Sequence, residues 1–243
     1  MKAMILAAGL GTRLKPFTDH HPKALAPVNG KSLLEINITN LQKFGIRDVV
    51  VNVHHFAEQI EQVLTANKGF GSNVQVSDER AEVLETGGGL KKAIPLLRDT
   101  EDILVMNVDI LSDFDLNRMF LQHKRTGALA TLAVQERSTS RYFLFKEEEK
   151  NLRLCGWRHA TTLEEKLPCS AAAKMTPLAF SGIQIIQSTF LHKIVQEGKF
   201  SLVDLYLSLC CNERILAWNH TGDSLLDVGK PESLDKAAQM FNL

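Results

Sequence analysis

Residues 4–18, MILAAGLGTRLKPFT, constrain this chain more than any other stretch: an apolar run leads directly into a loop with two glycines, and the loop ends in Arg13, Lys15 and Pro16. A strand opening into a glycine loop begins several phosphate-binding folds, because glycine lets backbone N–H groups approach anionic oxygens with no Cβ in the way. Two such designs fail on spacing. The dinucleotide fingerprint needs GxGxxG opening a helix, whereas Gly9-Leu10-Gly11-Thr12-Arg13-Leu14 puts leucine at the third glycine position and Pro16 soon after. The NGKS of residues 29–32 ends like a P-loop, but Leu25 stands where the first Walker glycine belongs. That segment reads as a turn, with Ser32 at a helix start.

The chain then alternates. A helical run over 32–44 is followed by the strand DVVVNV from Asp48, an amphipathic stretch over 56–66, a strand at 73–77, a helix at 88–97 and the buried strand DILVMNV from Asp102. Gly45 falls where the first helix needs a C-cap. Continuously apolar strands separated by helices predict a parallel sheet covered on both faces. After Asp109 the pieces ALATLAVQ, RYFLF and NLRLCGW have little helix between them, so mixed or antiparallel strands are expected there. Residues 158–176 read as a loop, PLAFSGIQII as another buried strand, and 188–196 and 202–211 as helices. The fold class predicted is α/β, a Rossmann-like three-layer α/β/α sandwich on a mostly parallel mixed sheet, with a small extra β region. The 243 residues contain no linker or repeat and are expected to form a single domain.

Lys+Arg and Asp+Glu both number 28, so no global charge draws the chain to nucleic acid or to a membrane surface. Any bound anion must be met by local cations. The apolar start is too short for a signal peptide, and no segment approaches the ~20 apolar residues of a span. The expected location is therefore cytoplasmic, with Cys155, Cys169, Cys210 and Cys211 as reduced thiols in no zinc-like spacing.

Taken together, LAAGLGTRLKPFT and the following HPKALAPVNGKSLL resemble the signature of the sugar-1-phosphate nucleotidyltransferases, a LAAGxGTRL loop followed by a proline-lysine pair and a strand-helix unit. The resemblance implies transfer of a nucleoside monophosphate from a nucleoside triphosphate to a sugar 1-phosphate, with pyrophosphate released. Such a nucleophile is already an anion, so the chemistry calls for cations and carboxylate-held metal rather than a general base. On this reading Leu6, Ala7, Ala8, Gly9, Gly11 and Thr12 hold the nucleotide, Arg13 clamps its leaving phosphates, and Lys23 meets the α-phosphate or the sugar phosphate. Mg²⁺ is expected on Asp109, at the end of DILVMNVD, and on Asp227, in LLDVGKPE. Asp109 is also expected at the sugar phosphate. Val108 and Lys230 depart from the family's usual glycine and threonine beside those aspartates.

LETGGG stands where the family reads the base, which implicates Glu85, Thr86, Gly87 and Gly88. Its form resembles that of uridylyltransferases acting on N-acetylmuramate 1-phosphate, and uridylyl transfer to a muramic or amino-sugar 1-phosphate is the first expectation. Guanylyl transfer to mannose- or heptose-type phosphates, cytidylyl transfer to phosphocholine, and a non-catalytic regulatory subunit are the alternatives. For the sugar, FSGI implicates Gly182, and EEK implicates Lys166. Lys15, Arg141 and His159 carry no motif and default to the surface. The nucleotide is expected on residues 1–115 and the sugar phosphate on 116–243, in a monomer or homodimer.

Overall fold

Ala3 and Ile5 lie in one apolar core while Met4 and Leu6 lie in another, and Leu104 and Met106 are divided from Ile103 and Val105 in the same way. Neighbours in one run that point into two different cores require a strand buried on both faces. The computed structural model describes residues 1–169 and 174–241. Its first half comprises β1 (Lys2–Leu6), the short pair β2 (Pro27–Val28) and β3 (Lys31–Ser32), α1 (Leu33–Lys43), β4 (Asp48–Val53), α2 (Ala57–Ala66), β5 (Asn73–Asp78), α3 (Glu85–Lys92), α4 (Ile94–Leu97), β6 (Asp102–Asn107) and β7 (Ile110–Ser112). There follow α5 (Leu116–Thr126), β8 (Ala130–Gln135), β9 (Arg141–Glu148), β10 (Asn151–His159), β11 (Glu165–Lys166), β12 (Thr176–Gln187), α6 (Leu202–Leu209), β13 (Ile215–Asn219), β14 (Leu225–Asp227) and α7 (Pro231–Met240).

Among the described residues one sheet runs β11-β10-β13-β8-β12-β6-β1-β4-β5, with β9 paired to β10 and β12. Leu33 of α1, Ile60 of α2, Met119 of α5 and Ala237 of α7 pack into one core. Leu90 of α3, Leu97 of α4 and Tyr206 of α6 pack into the other, so helices cover both faces as the apolar strands predict. The parallel pairings are β1 with β4 and β6, β4 with β5, and β13 with β8. The other pairings of this sheet are antiparallel, so it is more evenly mixed than expected. The short connection between β9 and β10 is long enough only for an antiparallel return.

Ser32 caps α1 by accepting from the Glu35 N–H at 3.1 Å, and Gly45 follows it at φ 75°, a left-handed turn that suits glycine. The helix expected over 88–97 begins earlier, at Glu85, and is interrupted at Ala93, before α4, whose second residue is Pro95. Residues 188–193 form a 3₁₀ turn instead of the helix expected over 188–196. Within the expected loop of 158–176, β11 pairs with β10, while residues 170–173 lie outside the described residues. The thiol expectation is corrected: Cys169 and Cys211 form a disulfide, and Cys155 and Cys210 are the free, buried cysteines. Forty-two positions separate the bonded pair, a closeness that spacing alone does not reveal. No helix among the described residues is long and apolar enough to cross a membrane.

Candidate active site

Strands β1, β4 and β6 run in register, with Leu6 between Asn52 and Asn107, so all three end at one edge of the sheet. Open α/β sheets bind ligands at such carboxyl ends. The glycine loop leaves β1 there. The Ala7 N–H donates to Asn52 Oδ1 at 2.7 Å, and Asn52 Nδ2 donates to Glu79 Oε1 at 2.7 Å. Glu79 is fully buried and its Oε2 has no partner. Burial raises its pKa above the ordinary carboxyl value, opposed by the Asn52 hydrogen bond.

Gly11 sits at φ 63°, and a Cβ there would lie 2.9 Å from Thr18 Cγ2 and 3.0 Å from Lys23 Cβ. The Leu14 N–H and the Thr18 hydroxyl both donate to the Gly11 carbonyl, at 2.8 and 3.0 Å. The turn is thereby fixed, with Leu14 buried beneath it and the Arg13 side chain outside. Lys23 opens a 3₁₀ turn after Pro22, is itself buried, and donates through Nζ to Asp109 Oδ2.

The two aspartates come together through backbone pairing. Asp109 follows β6 and precedes β7, and β7 pairs with β14, placing Asp227 opposite Ile110. The Val228 N–H also donates to the Asp109 carbonyl at 2.8 Å. Arg13 Nη2 lies 3.8 Å from Asp227 Oδ2, so each carboxylate faces one cation. Gly229 lies against both side chains: a Cβ there would be 2.7 Å from Asp227 Oδ1 and 2.8 Å from Arg13 Nη2, and those side-chain ends would have to move aside.

These groups enclose a cavity of about 330 Å³. Of the residues expected from sequence, Leu6, Ala7, Ala8, Gly9, Gly11, Thr12, Arg13, Lys23, Glu85, Thr86 and Asp109 line it, and Asp227 stands beside it through Arg13. Glu85 also lies 3.6 Å from Lys199 Nζ. The Thr86 hydroxyl accepts from the Leu202 N–H at 3.0 Å and so anchors α6.

Gly87 and Gly88 are placed differently from the expectation that they admit a base. Neither lines the cavity; a Cβ on Gly87 would lie 2.4 Å from the Phe200 ring, and one on Gly88 would lie 2.3 Å from the Gly198 carbonyl. Their bareness lets α3 sit against residues 198–200. Gly182, at φ 72°, lies behind the cavity, where a Cβ would be 2.9 Å from Asn107 Nδ2. Lys166 is not brought into the cavity: it lies on edge strand β11, 2.9 Å from Asp204 and 5.5 Å over the Trp157 ring. Its local motif says nothing about which edge of the sheet the segment reaches.

Sequence reasoning passed over Asn52, Glu79, Val83, Asn107 and Gly229 in the lining, and noted Val108 only as a departure beside Asp109. Asn52 and Asn107 had a visible signal, a polar residue near the end of an otherwise apolar strand. Arg137 was also missed; its Nη2 donates to the Phe180 carbonyl at 3.0 Å, and burial lowers its pKa while Asp227 acts in the opposite direction.

A glycine loop, two cations and two carboxylates gathered at the carboxyl edge of a parallel strand trio define an α/β enzyme that handles phosphorylated ligands. The chain belongs to the nucleotidyl transferase family, whose model matches residues 2–242. It is 32% identical over 236 residues to an N-acetylmuramate alpha-1-phosphate uridylyltransferase of Caulobacter vibrioides, covering 91% of each chain. It is 28% identical to a D-glycero-alpha-D-manno-heptose 1-phosphate guanylyltransferase of Campylobacter jejuni, covering 96% of each. The structure of a UDP-glucose pyrophosphorylase from Acinetobacter baumanii superposes with a TM-score of 0.77 at 19% identity, over 98% of this chain and 91% of that one, which establishes the shared fold.

Proposed function

We propose that this nucleotidyltransferase moves a uridylyl group from UTP to N-acetylmuramate 1-phosphate or a related amino-sugar 1-phosphate, releasing pyrophosphate. The observation that carries the reading is that Arg13, Lys23 and Asp109 line one cavity with the glycine loop. The LETGGG segment and the full-length likeness to the Caulobacter uridylyltransferase favour uridine and the muramic acceptor. Guanylyl transfer to a heptose- or mannose-type phosphate is the second reading, favoured by the Campylobacter relative.

In this reading residues 1–243 work as one unit, with the nucleotide on 1–115 and the acceptor on 116–243. Backbone donors of Gly9, Gly11 and Thr12 hold the triphosphate, and Arg13, free to swing from its loose pairing with Asp227, meets the departing phosphates. Lys23 is pinned by burial, so its ammonium holds a fixed place between the reacting phosphates. The acceptor oxygen is already ionised, and the chain needs only to align it and to balance charge at the α-phosphorus.

Asp109 and Asp227 fit a divalent ion such as Mg²⁺: both offer hard oxygen, they flank one β pairing, and a two-carboxylate set leaves room for the waters that ion retains. When bound, the metal would neutralise phosphate charge and lower repulsion between the two substrates. The test is pyrophosphate release with Mg²⁺, crossing UTP, GTP, CTP and dTTP with N-acetylmuramate, amino-sugar, mannose and heptose 1-phosphates and with phosphocholine. Turnover greatest with UTP and an amino-sugar or muramic acceptor is expected; a preference for GTP with a heptose or mannose phosphate would install the second reading instead.

A further inference from the structure

The sulfur atoms of Cys169, Cys210 and Cys211 all lie within 4.8 Å of one another, and none of the three lines the cavity. A disulfide needs only two of them. Cys169 and Cys211 supply the bond, with Cα atoms 5.3 Å apart, and Cys210 Sγ lies 3.5 Å from Cys169 Sγ as a third sulfur. Cys210 is buried, Cys169 half-buried and Cys211 exposed, so the cluster has one side open to solvent.

We propose that Cys169, Cys210 and Cys211 form a redox-gated soft-metal site: reduced, the three sulfurs hold one zinc ion, and oxidised, the Cys169–Cys211 bond removes two of its ligands. Zinc bonded to sulfur at ~2.3 Å in a tetrahedron sets its ligands about 3.8 Å apart. Cys210 and Cys169 are already near that separation, and reduction lets Cys211 reach it by side-chain rotation. Three protein ligands leave the fourth position to water on the exposed side.

The surroundings hold the cluster in shape. Cys210 and Cys211 close the end of α6, and Arg153 Nη2 donates to both of their carbonyls, at 3.2 and 3.0 Å. Cys210 is held from below as well, its thiol donating to the Leu207 carbonyl at 3.3 Å. Cys155 stands apart from the three, with its thiol donating to the Leu144 carbonyl at 3.3 Å.

The redox step balances with an external dithiol. Its two thiols lose two electrons and two protons and close into a disulfide, while the Cys169–Cys211 bond opens to two thiols. Zinc then displaces the thiol protons as it binds.

The test loads the full chain with one equivalent of Zn²⁺ after reduction and anaerobic removal of reductant, and counts metal per chain by native mass spectrometry. One zinc per reduced chain and none per oxidised chain is expected, and Co²⁺ loading of the reduced chain should give a sulfur-to-cobalt charge-transfer band. Cys169→Ser, Cys210→Ser and Cys211→Ser should each weaken binding at least tenfold, and Cys155→Ala should leave it unchanged. Cys211 is exposed, so its variant keeps the test open should the buried Cys210→Ser not fold. Absence of zinc from the reduced chain, or equal retention by the oxidised chain or by the Cys169 and Cys211 variants, overturns the proposal.

Discussion

Lys23 and Asp109 depend on each other before any substrate arrives. Both side chains are largely buried, and each is the other's ion-pair partner. Asp109→Asn should lower kcat about 100-fold or more, the scale on which a positioned charge acts in a transition state, as read by pyrophosphate release. It also strands the Lys23 ammonium, and a broken buried pair costs roughly 3 kcal/mol, visible as a lower melting temperature. Adding Lys23→Met should restore stability but not turnover; recovery of both would remove these residues from the chemistry. Glu79 behaves differently. Its pKa is raised in the fold, so the folded state holds the proton more tightly than the unfolded state does, and stability falls as pH rises from the ordinary carboxyl range through the folded value. Glu79→Gln keeps an acceptor for Asn52 and should flatten that slope, as measured by denaturant unfolding at about pH 5 and about pH 8. That the glycine loop and its cations would share one cavity was legible because they lie within one short stretch of sequence. Glu79 was not, since only the fold makes it a fully buried carboxyl at the end of the Ala7–Asn52 hydrogen-bond chain.

At the scale of elements, two glycines in similar-looking motifs separate cleanly. A Cβ on Gly9 would meet nothing within 4 Å, whereas one on Gly88 would meet backbone carbonyl at 2.3 Å. Gly9→Ala should therefore melt like the parent protein and show any defect in the KM for the nucleotide. Gly88→Ala should displace α3 and cost about 3 kcal/mol, the range of overpacking into fixed structure. Equal stability of the two variants, by thermal unfolding, would contradict this packing. The helix start at Ser32 was readable because a cap is a local device; the fit of α3 was not, because Phe200 and Gly198 come from more than a hundred residues further along the chain. For the same reason the loop reading of 158–176 gave no warning that Lys166 would be committed to Asp204 and Trp157 on the far edge.

For the whole molecule, acid sensitivity follows from His220. Its Nε2 pairs with Ser181 Oγ at 2.8 Å, Gln135 Nε2 lies 3.2 Å from its Nδ1, and burial takes its pKa down to about 4. The unfolded chain takes up that proton near pH 6.5, so the stability conferred by a neutral His220 is intact above about 6.5 and is lost as pH falls towards 4, by about 3 kcal/mol in all. His220→Gln should shrink the loss, measured as unfolding free energy across that range; an unchanged acid slope would assign it to other groups. The order of strands has a separate consequence. In the series β8-β12-β6-β1, the strand that flanks β6 opposite β1 is β12, contributed by the later part of the chain. A fragment ending at residue 115 would thus present the long edge of β6, with Ile103, Leu104 and Val105 bare of their neighbour, as an adhesive template for other chains. The glycine loop cannot be borrowed as a portable module, and a gene split at that point should yield inclusion bodies unless the missing strand is supplied in trans.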